Sequence, residues 1–146
     1  MKVAMGADHG GFALKEEVKK HLEQQGYEIT DFGCYSEDSI DYNEVATTVA
    51  IKVRDNEFDR GILICGTGIG MSIMANKVSG IRCALVHDLF TAKATRLHND
   101  SNILAMGGRV VGPGLAIEIA ETWLSTDFSN ASRHQRRVDK INNYNG

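Results

Sequence analysis

The sequence predicts a doubly wound α/β fold, and three observations carry that reading. Short apolar runs alternate with amphipathic segments of helical period, the pattern of a parallel sheet covered on both faces. Several of the runs end in glycine-rich loops, where such folds place their ligand contacts. The chain has 146 residues, 42% of them hydrophobic, with one proline, which suits a single domain over 1–146 with one substantial core.

The elements follow in order. Lys2–Ala7 reads as the first strand and Asp8-His9-Gly10-Gly11 as its loop. A helix over Phe12–Gln25 brings Phe12, Leu14, Val18 and Leu22 near one face and stops at Gly26. Tyr27–Phe32 is the second strand. Asp41 or Asn43 caps a helix with Val45, Val49 and Val53 along one face. Gly61–Cys65 is the third strand, followed by a helix to about Lys77. Arg82–Val86 is the fourth strand, Asp88–His98 a helix, and Ile103–Met106 the fifth strand. Leu115, Ile119 and Trp123 mark a further helix. A polar, basic helix over about 132–144 closes the chain and is a candidate for packing on a partner subunit. The expected whole is a Rossmann-like, doubly wound, five-stranded parallel sheet with helices on both faces. Ligands of such sheets bind at the carboxyl ends of the strands, which gathers Asp8, His9, the loop from Cys65 to Gly70, and Arg109 at one edge.

Charge and composition narrow the function. The net charge of −3 argues against a general nucleic-acid binder. No long apolar stretch or leader pattern is visible, so no membrane partner is expected, and the setting is read as cytoplasmic. Cys34, Cys65 and Cys83 are widely spaced and form no CxxC pair, which suggests neither a zinc site nor a disulfide framework.

The segment Gly61-Ile62-Leu63-Ile64-Cys65-Gly66-Thr67-Gly68-Ile69-Gly70-Met71-Ser72 carries the most chemistry. A buried strand ends on a thiol, and a loop of alternate glycines leads into a helix. Free N–H groups and a helix start make an anion cradle, in which a thiolate is favoured. The plainer alternative is a small buried cysteine ahead of an ordinary turn. Known phosphate loops each fail on a residue. A Walker A loop lacks its lysine, and Met71 stands where a dinucleotide loop needs its third glycine. Met71 also stands where a cysteine phosphatase loop needs its arginine.

Other candidates stand beside alternatives. Asp8 would bind sugar hydroxyls or cap the first helix, and His9 would bind phosphate or shuttle protons. His98 is either an acid–base group or a solvated helix-end histidine. Arg133 and Arg137, four apart, converge on one phosphate or form a solvated face. Arg109 sits past a strand end among glycines, a placement that favours a ligand contact. Cys83 reads as core, and Cys34 has no assigned role.

Together these residues resemble type B ribose-5-phosphate isomerase, within the wider sugar-phosphate isomerase family that includes galactose-6-phosphate isomerase. The resemblance runs from Lys2 to about Ile141. It rests on Gly6-Ala7-Asp8-His9-Gly10-Gly11, Asp41-Tyr42, Ile64 to Gly70, Ala75-Asn76-Lys77, Arg96-Leu97-His98-Asn99-Asp100, Gly108-Arg109-Val110-Val111-Gly112 and Arg133-His134-Gln135-Arg136-Arg137-Val138.

The resemblance implies interconversion of ribose 5-phosphate and ribulose 5-phosphate, with no cofactor and no metal. It implies Cys65 as the base and His98 and Thr67 as helpers in ring opening. The backbone of Gly66, Thr67, Gly68, Ile69 and Gly70 would hold the enediolate oxygen. Asp8, Tyr42 and Asn99 would contact substrate oxygens. His9, Arg133 and Arg137 would hold the phosphate, with Arg109 adding positive charge. It also implies a homodimer or tetramer whose sites lie between subunits. Some relatives carry an acidic residue in place of Met71 and use it as the base; here that duty falls to Cys65. The galactose-6-phosphate branch lacks counterparts of His98 and of Arg133-His134, which favours a five-carbon substrate. Isomerisation of allose 6-phosphate or galactose 6-phosphate, and sugar-phosphate binding without turnover, are the alternatives.

Overall fold

A computed structural model describes residues 1–145. Five strands, β1 (Lys2–Ala7), β2 (Glu28–Asp31), β3 (Arg60–Cys65), β4 (Cys83–Leu85) and β5 (Ile103–Gly107), form one all-parallel sheet in the order β2-β1-β3-β5-β4. The helices are α1 (Phe12–Gln24), α2 (Tyr42–Arg54), α3 (Ile69–Ala75), α4 (Leu89–Asn99), α5 (Pro113–Ser125) and α6 (Ser132–Asn142). The predicted alternation of elements is therefore the observed one.

Central strands are apolar throughout because both of their faces are covered. Alternate residues feed two cores. Val3, Met5, Ile62, Ile64, Leu104 and Met106 pack with α1 and α5 on one side. Ala4, Leu63, Cys65 and Ile103 pack with α2 and α3 on the other. The Val45/Val49/Val53 stripe is buried as expected. So are Leu14, Val18 and Leu22, but Phe12 is only half-buried, and Lys15, which the apolar pattern passes over, is fully buried beside them. Trp123 is fully buried and donates from Nε1 to Ser101 Oγ at 2.9 Å, so its one polar atom is satisfied.

Caps and boundaries differ in places from the sequence reading. Asp41 is the N-cap of α2, but its carboxylate makes no capping hydrogen bond. Asp88 does cap α4, accepting from Thr91 N at 2.7 Å. The second and fourth strands are shorter than their apolar runs, and α3 stops at Ala75.

The strand order positions the site. From β1 the chain goes through α1 to β2 on one flank, then through α2 to β3 on the other. The loops leaving the carboxyl ends of β1 and β3 therefore diverge to opposite faces. The crevice between them is where doubly wound sheets take ligands.

Candidate active site

Cys65 ends β3 and is 5% exposed. Its sulfur accepts a hydrogen bond from Gly68 N at 3.0 Å, so the loop that follows the strand curls back onto the thiol. Gly68 makes that curl possible. Its φ is +78°, and a Cβ there would lie 2.8 Å from the Met106 carbonyl carbon. Thr67 Oγ1, exposed, accepts from Ile69 N at 3.2 Å. Burial pushes the other two thiols up, that of Cys83 to about 12, which keeps both protonated at neutral pH. Cys83 packs against the α2/α3 core as a half-buried residue, and Cys34 is buried with its thiol donating to Ser36 O at 3.2 Å.

Three neighbouring loops frame Cys65. Gly108 N donates to Cys65 O at 2.7 Å, and Arg109 N to Gly66 O at 3.0 Å, so the turn after β5 is pinned to the thiol loop. The exposed Arg109 guanidinium lies against Gly66: a Cβ on that glycine would be 3.2 Å from an Arg109 nitrogen. The backbone of Gly107 rests on Thr67, and Gly107 N donates to His87 Nε2 at 3.0 Å, a contact the sequence reading did not include.

From the β1 side, buried Asp8 accepts with Oδ1 from Gly10 N at 2.9 Å and Gly11 N at 3.2 Å. The N-cap of α1 is Gly11, so Asp8 shapes its own loop rather than capping the helix. Among the described residues its Oδ2 makes no hydrogen bond, which leaves an acceptor for a hydroxyl donor. His9 is half-buried, and its Nδ1 accepts from Ile40 N at 3.4 Å. Tyr42 opens α2 with its ring over Gly70, where a Cβ would fall 2.6 Å from the ring. Asp8, His9, Tyr42, Cys65, the loop to Gly70 and Arg109 thus meet at one edge, as the fold class predicts. Met71 is fully buried and has no polar atom to offer.

The remaining candidates lie at the opposite edge. Asn99 O accepts from Arg82 Nε at 3.2 Å, and Arg82 directly precedes β4 at its amino end. In register, Cys83 is level with Ile103 and Ile103 with Gly61. That level is four residues, about 13 Å, below Cys65 along the sheet. His98 is exposed near the end of α4, its ring 4.6 Å from that of His134 on α6 and tilted by 41°. His134 is buried and paired through Nδ1 with Ser129 Oγ at 2.7 Å. Burial holds its imidazole below the ordinary value, helped by the charges of Arg133, His98 and Arg137. Arg133 and Arg137 are both exposed on α6. One chain therefore does not bring His98, Asn99, Arg133 and Arg137 to its own Cys65. The contact of His134 with His98 joins two separate helices 36 residues apart in sequence, and no local pattern points to it.

Among the described residues, no group of three or more His, Cys, Asp or Glu side chains is placed to hold a metal ion. No helix among them is long and apolar enough to cross a membrane.

A family model described as Ribose/Galactose Isomerase matches residues 3–141. The chain belongs to the ribose/galactose isomerase family. Within it, YwlF of Bacillus subtilis, which bears a provisional name as a sugar phosphate isomerase, is 59% identical over 99% of this chain and 97% of its own. A solved structure of ribose-5-phosphate isomerase B from Clostridium thermocellum superposes with a TM-score of 0.95 at 50% identity, covering 97% of this chain and 95% of that one. A D-erythrulose-4-phosphate isomerase from Pectobacterium atrosepticum is 42% identical over 99% of this chain and 95% of its own. These relatives support isomerase chemistry on a phosphorylated sugar, and their names also show that ribose/galactose isomerase family members differ in the sugar they take.

Proposed function

We propose that the chain interconverts ribose 5-phosphate and ribulose 5-phosphate by proton transfer through an enediolate. The observation that carries this reading is the Cys65 sulfur held by Gly68 N, with Asp8, Thr67 and Tyr42 around it and no carboxylate on the adjoining turn of α3. As a thiolate, Cys65 takes the proton from C2 of the open-chain aldose and returns it to C1. The hydroxyl proton leaves O2 and one is gained at O1, which needs an acid and base near those oxygens. The loop N–H groups between Gly66 and Gly70, apart from those of Gly68 and Ile69 that Cys65 and Thr67 already hold, and the Arg109 charge face the oxygen on which negative charge develops. Asp8 Oδ2 and Tyr42 hold substrate hydroxyls.

His9 supplies one contact to the phosphate from this chain. Arg133 and Arg137, with His98 for ring opening and Asn99, come from a second copy in a homo-oligomer. The roughly 13 Å separation within one chain supports that sharing. Binding energy from the phosphate, remote from the reacting carbons, serves to position them. No cofactor takes part in these steps.

The name of the Pectobacterium relative favours a second reading, a four-carbon sugar phosphate, and the six-carbon allose 6-phosphate and galactose 6-phosphate define a third. The test is turnover of each sugar phosphate by purified protein in EDTA. Fast conversion of ribose 5-phosphate is expected. Turnover of a tetrose or hexose phosphate alone would keep the chemistry and change the substrate, and binding without turnover of any would overturn the enzyme reading.

A further inference from the structure

Lys15 is a fully buried charged side chain that the active-site loops do not account for. It faces inward from α1 between Leu14 and Val18, where an apolar residue would pack well. A buried ammonium is costly unless it is fully paired. Here Nζ donates to Asp31 Oδ2 at 2.6 Å and to the Cys34 carbonyl, and stands 3.4 Å from Glu16 Oε1. The rings of Phe12 and Tyr35 lie 5.3 and 5.6 Å from it. Asp31 is itself held from other directions, accepting from Lys19 Nζ at 3.0 Å and from Gly33 N at 2.9 Å. Burial raises the Asp31 carboxyl, but the bonds from Lys15, Gly33 and Lys19 outweigh it and hold it below the usual carboxylate range.

The geometry says what this charge organises. Its two strongest acceptors are the end of β2 and the start of the connection that runs on to α2. That connection is stitched to β1 just before the active-site loop: Ala7 N donates to Gly33 O and Cys34 N to Ala7 O, both at 2.5 Å. Asp8 and His9 come next. The far end of the same connection returns to the site, where Ile40 N donates to His9 Nδ1 and Tyr42 lies over Gly70. Residues 35–41 between these points are exposed, held further near their start, where Tyr35 Oη donates to Asp31 O at 3.0 Å and the Cys34 thiol to Ser36 O. An imidazole that accepts at Nδ1 carries its neutral-state proton on Nε2, which leaves an N–H free for an oxyanion.

We propose that Lys15 is a positioning residue: by clamping the Asp31–Cys34 corner it sets the path of the 35–41 segment, and through Ile40 it fixes the tautomer and direction of His9 toward the substrate's phosphate. The inference rests on the reading of His9 as a phosphate contact. A purely structural lysine would alter stability and leave His9 alone.

The experiment compares Lys15→Met, which keeps length and removes charge, with Val18→Ala, which weakens the core on the same helix. Nitrogen chemical shifts of the His9 ring report its tautomer, and initial rates with ribose 5-phosphate give kcat and KM. Wild type and Val18→Ala are expected to show His9 protonated at Nε2 with KM unchanged. Lys15→Met is expected to lose that single tautomer and raise KM about tenfold, with kcat within about threefold. If Lys15→Met does not fold, Asp31→Asn weakens the same clamp and should move both readouts in the same direction. An unaltered His9 tautomer in the charge-removing variant, or an equal change in Val18→Ala, would overturn the proposal. His9→Ala separates the two layers. An unchanged KM there, alongside a shifted tautomer in Lys15→Met, would sink the phosphate role of His9 and leave the positioning role standing.

Discussion

The two edges of the sheet are built differently. At the carboxyl edge the Cys65 thiol is buried, its loop is tied to the turn after β5, and Asp8 uses one oxygen to hold its own turn together. At the amino edge the side chains of His98, Asn99, Arg133 and Arg137 stand in water, while His134 beside them is buried and paired with Ser129 Oγ. The first edge is a hydrogen-bonded frame around a buried thiol, with one spare anionic acceptor. The second is a display of cations and donors with little to bind in its own chain. A pocket for a small phosphorylated sugar needs both a frame that orients the reacting carbons and a cationic clamp. Under the proposed function, each chain is therefore two half-sites facing away from each other.

The largest expected effect separates the edges by chemistry. Cys65→Ala should lower kcat about a thousandfold, the scale of a lost proton-transfer group, while KM stays within a few-fold. Rates within tenfold of wild type would move the reaction away from the thiol loop. The next test asks whether the edges meet between copies. Cys65→Ala and Arg137→Ala proteins, each impaired alone, are mixed, unfolded and refolded together. At substrate below the wild-type KM, where both parents are slow, random dimers should regain roughly a quarter of wild-type activity, because half of them carry one site free of both substitutions. No recovery would mean that each site is made from one chain.

Arg137→Ala by itself should raise KM by about 10- to 100-fold with kcat little changed, the worth of one charge-assisted hydrogen bond. An unchanged KM would return the α6 arginines to a solvated face. The smallest effect is on stability. His134 has its folded pKa held below the unfolded value near 6.5, so the unfolded chain takes up the proton first. Stability present above that value is then lost as pH falls through the folded one. Melting temperatures measured between about pH 7.5 and 5 should drop, and His134→Gln should flatten part of that drop. Identical curves would show that the ring's surroundings do not resist its charging.

Much of this was legible in sequence because it depends on local rules. Period and glycine placement give every strand and helix, and the strand-end rule puts Asp8, Cys65 and Arg109 together. The division of the candidate residues between two edges was also within reach. A helix that follows a parallel strand runs back down the sheet, so His98, at the end of α4, sits a sheet depth from any strand's carboxyl end. Lys15 was not legible. At its helical position the pattern allows a surface lysine, and what buries it is a pair of acceptors 16 and 19 residues away. Asp41 failed as a capping side chain for the opposite reason. Its residue type is right, but its carboxylate makes no bond to the first turn of α2.

The strand order has a temporal consequence. β4 pairs only with β5, and β5 fills the gap between β3 and β4. A nascent chain that has not yet emerged past residue 107 can assemble β2-β1-β3 alone, with β3 still an open edge. Until then the Cys65 loop lacks the turn that pins it, and β4 is synthesised about twenty residues before its partner. The thiol is complete in covalent terms before its surroundings are, so emergence of the turn after β5, rather than synthesis of the loop, closes the frame around Cys65.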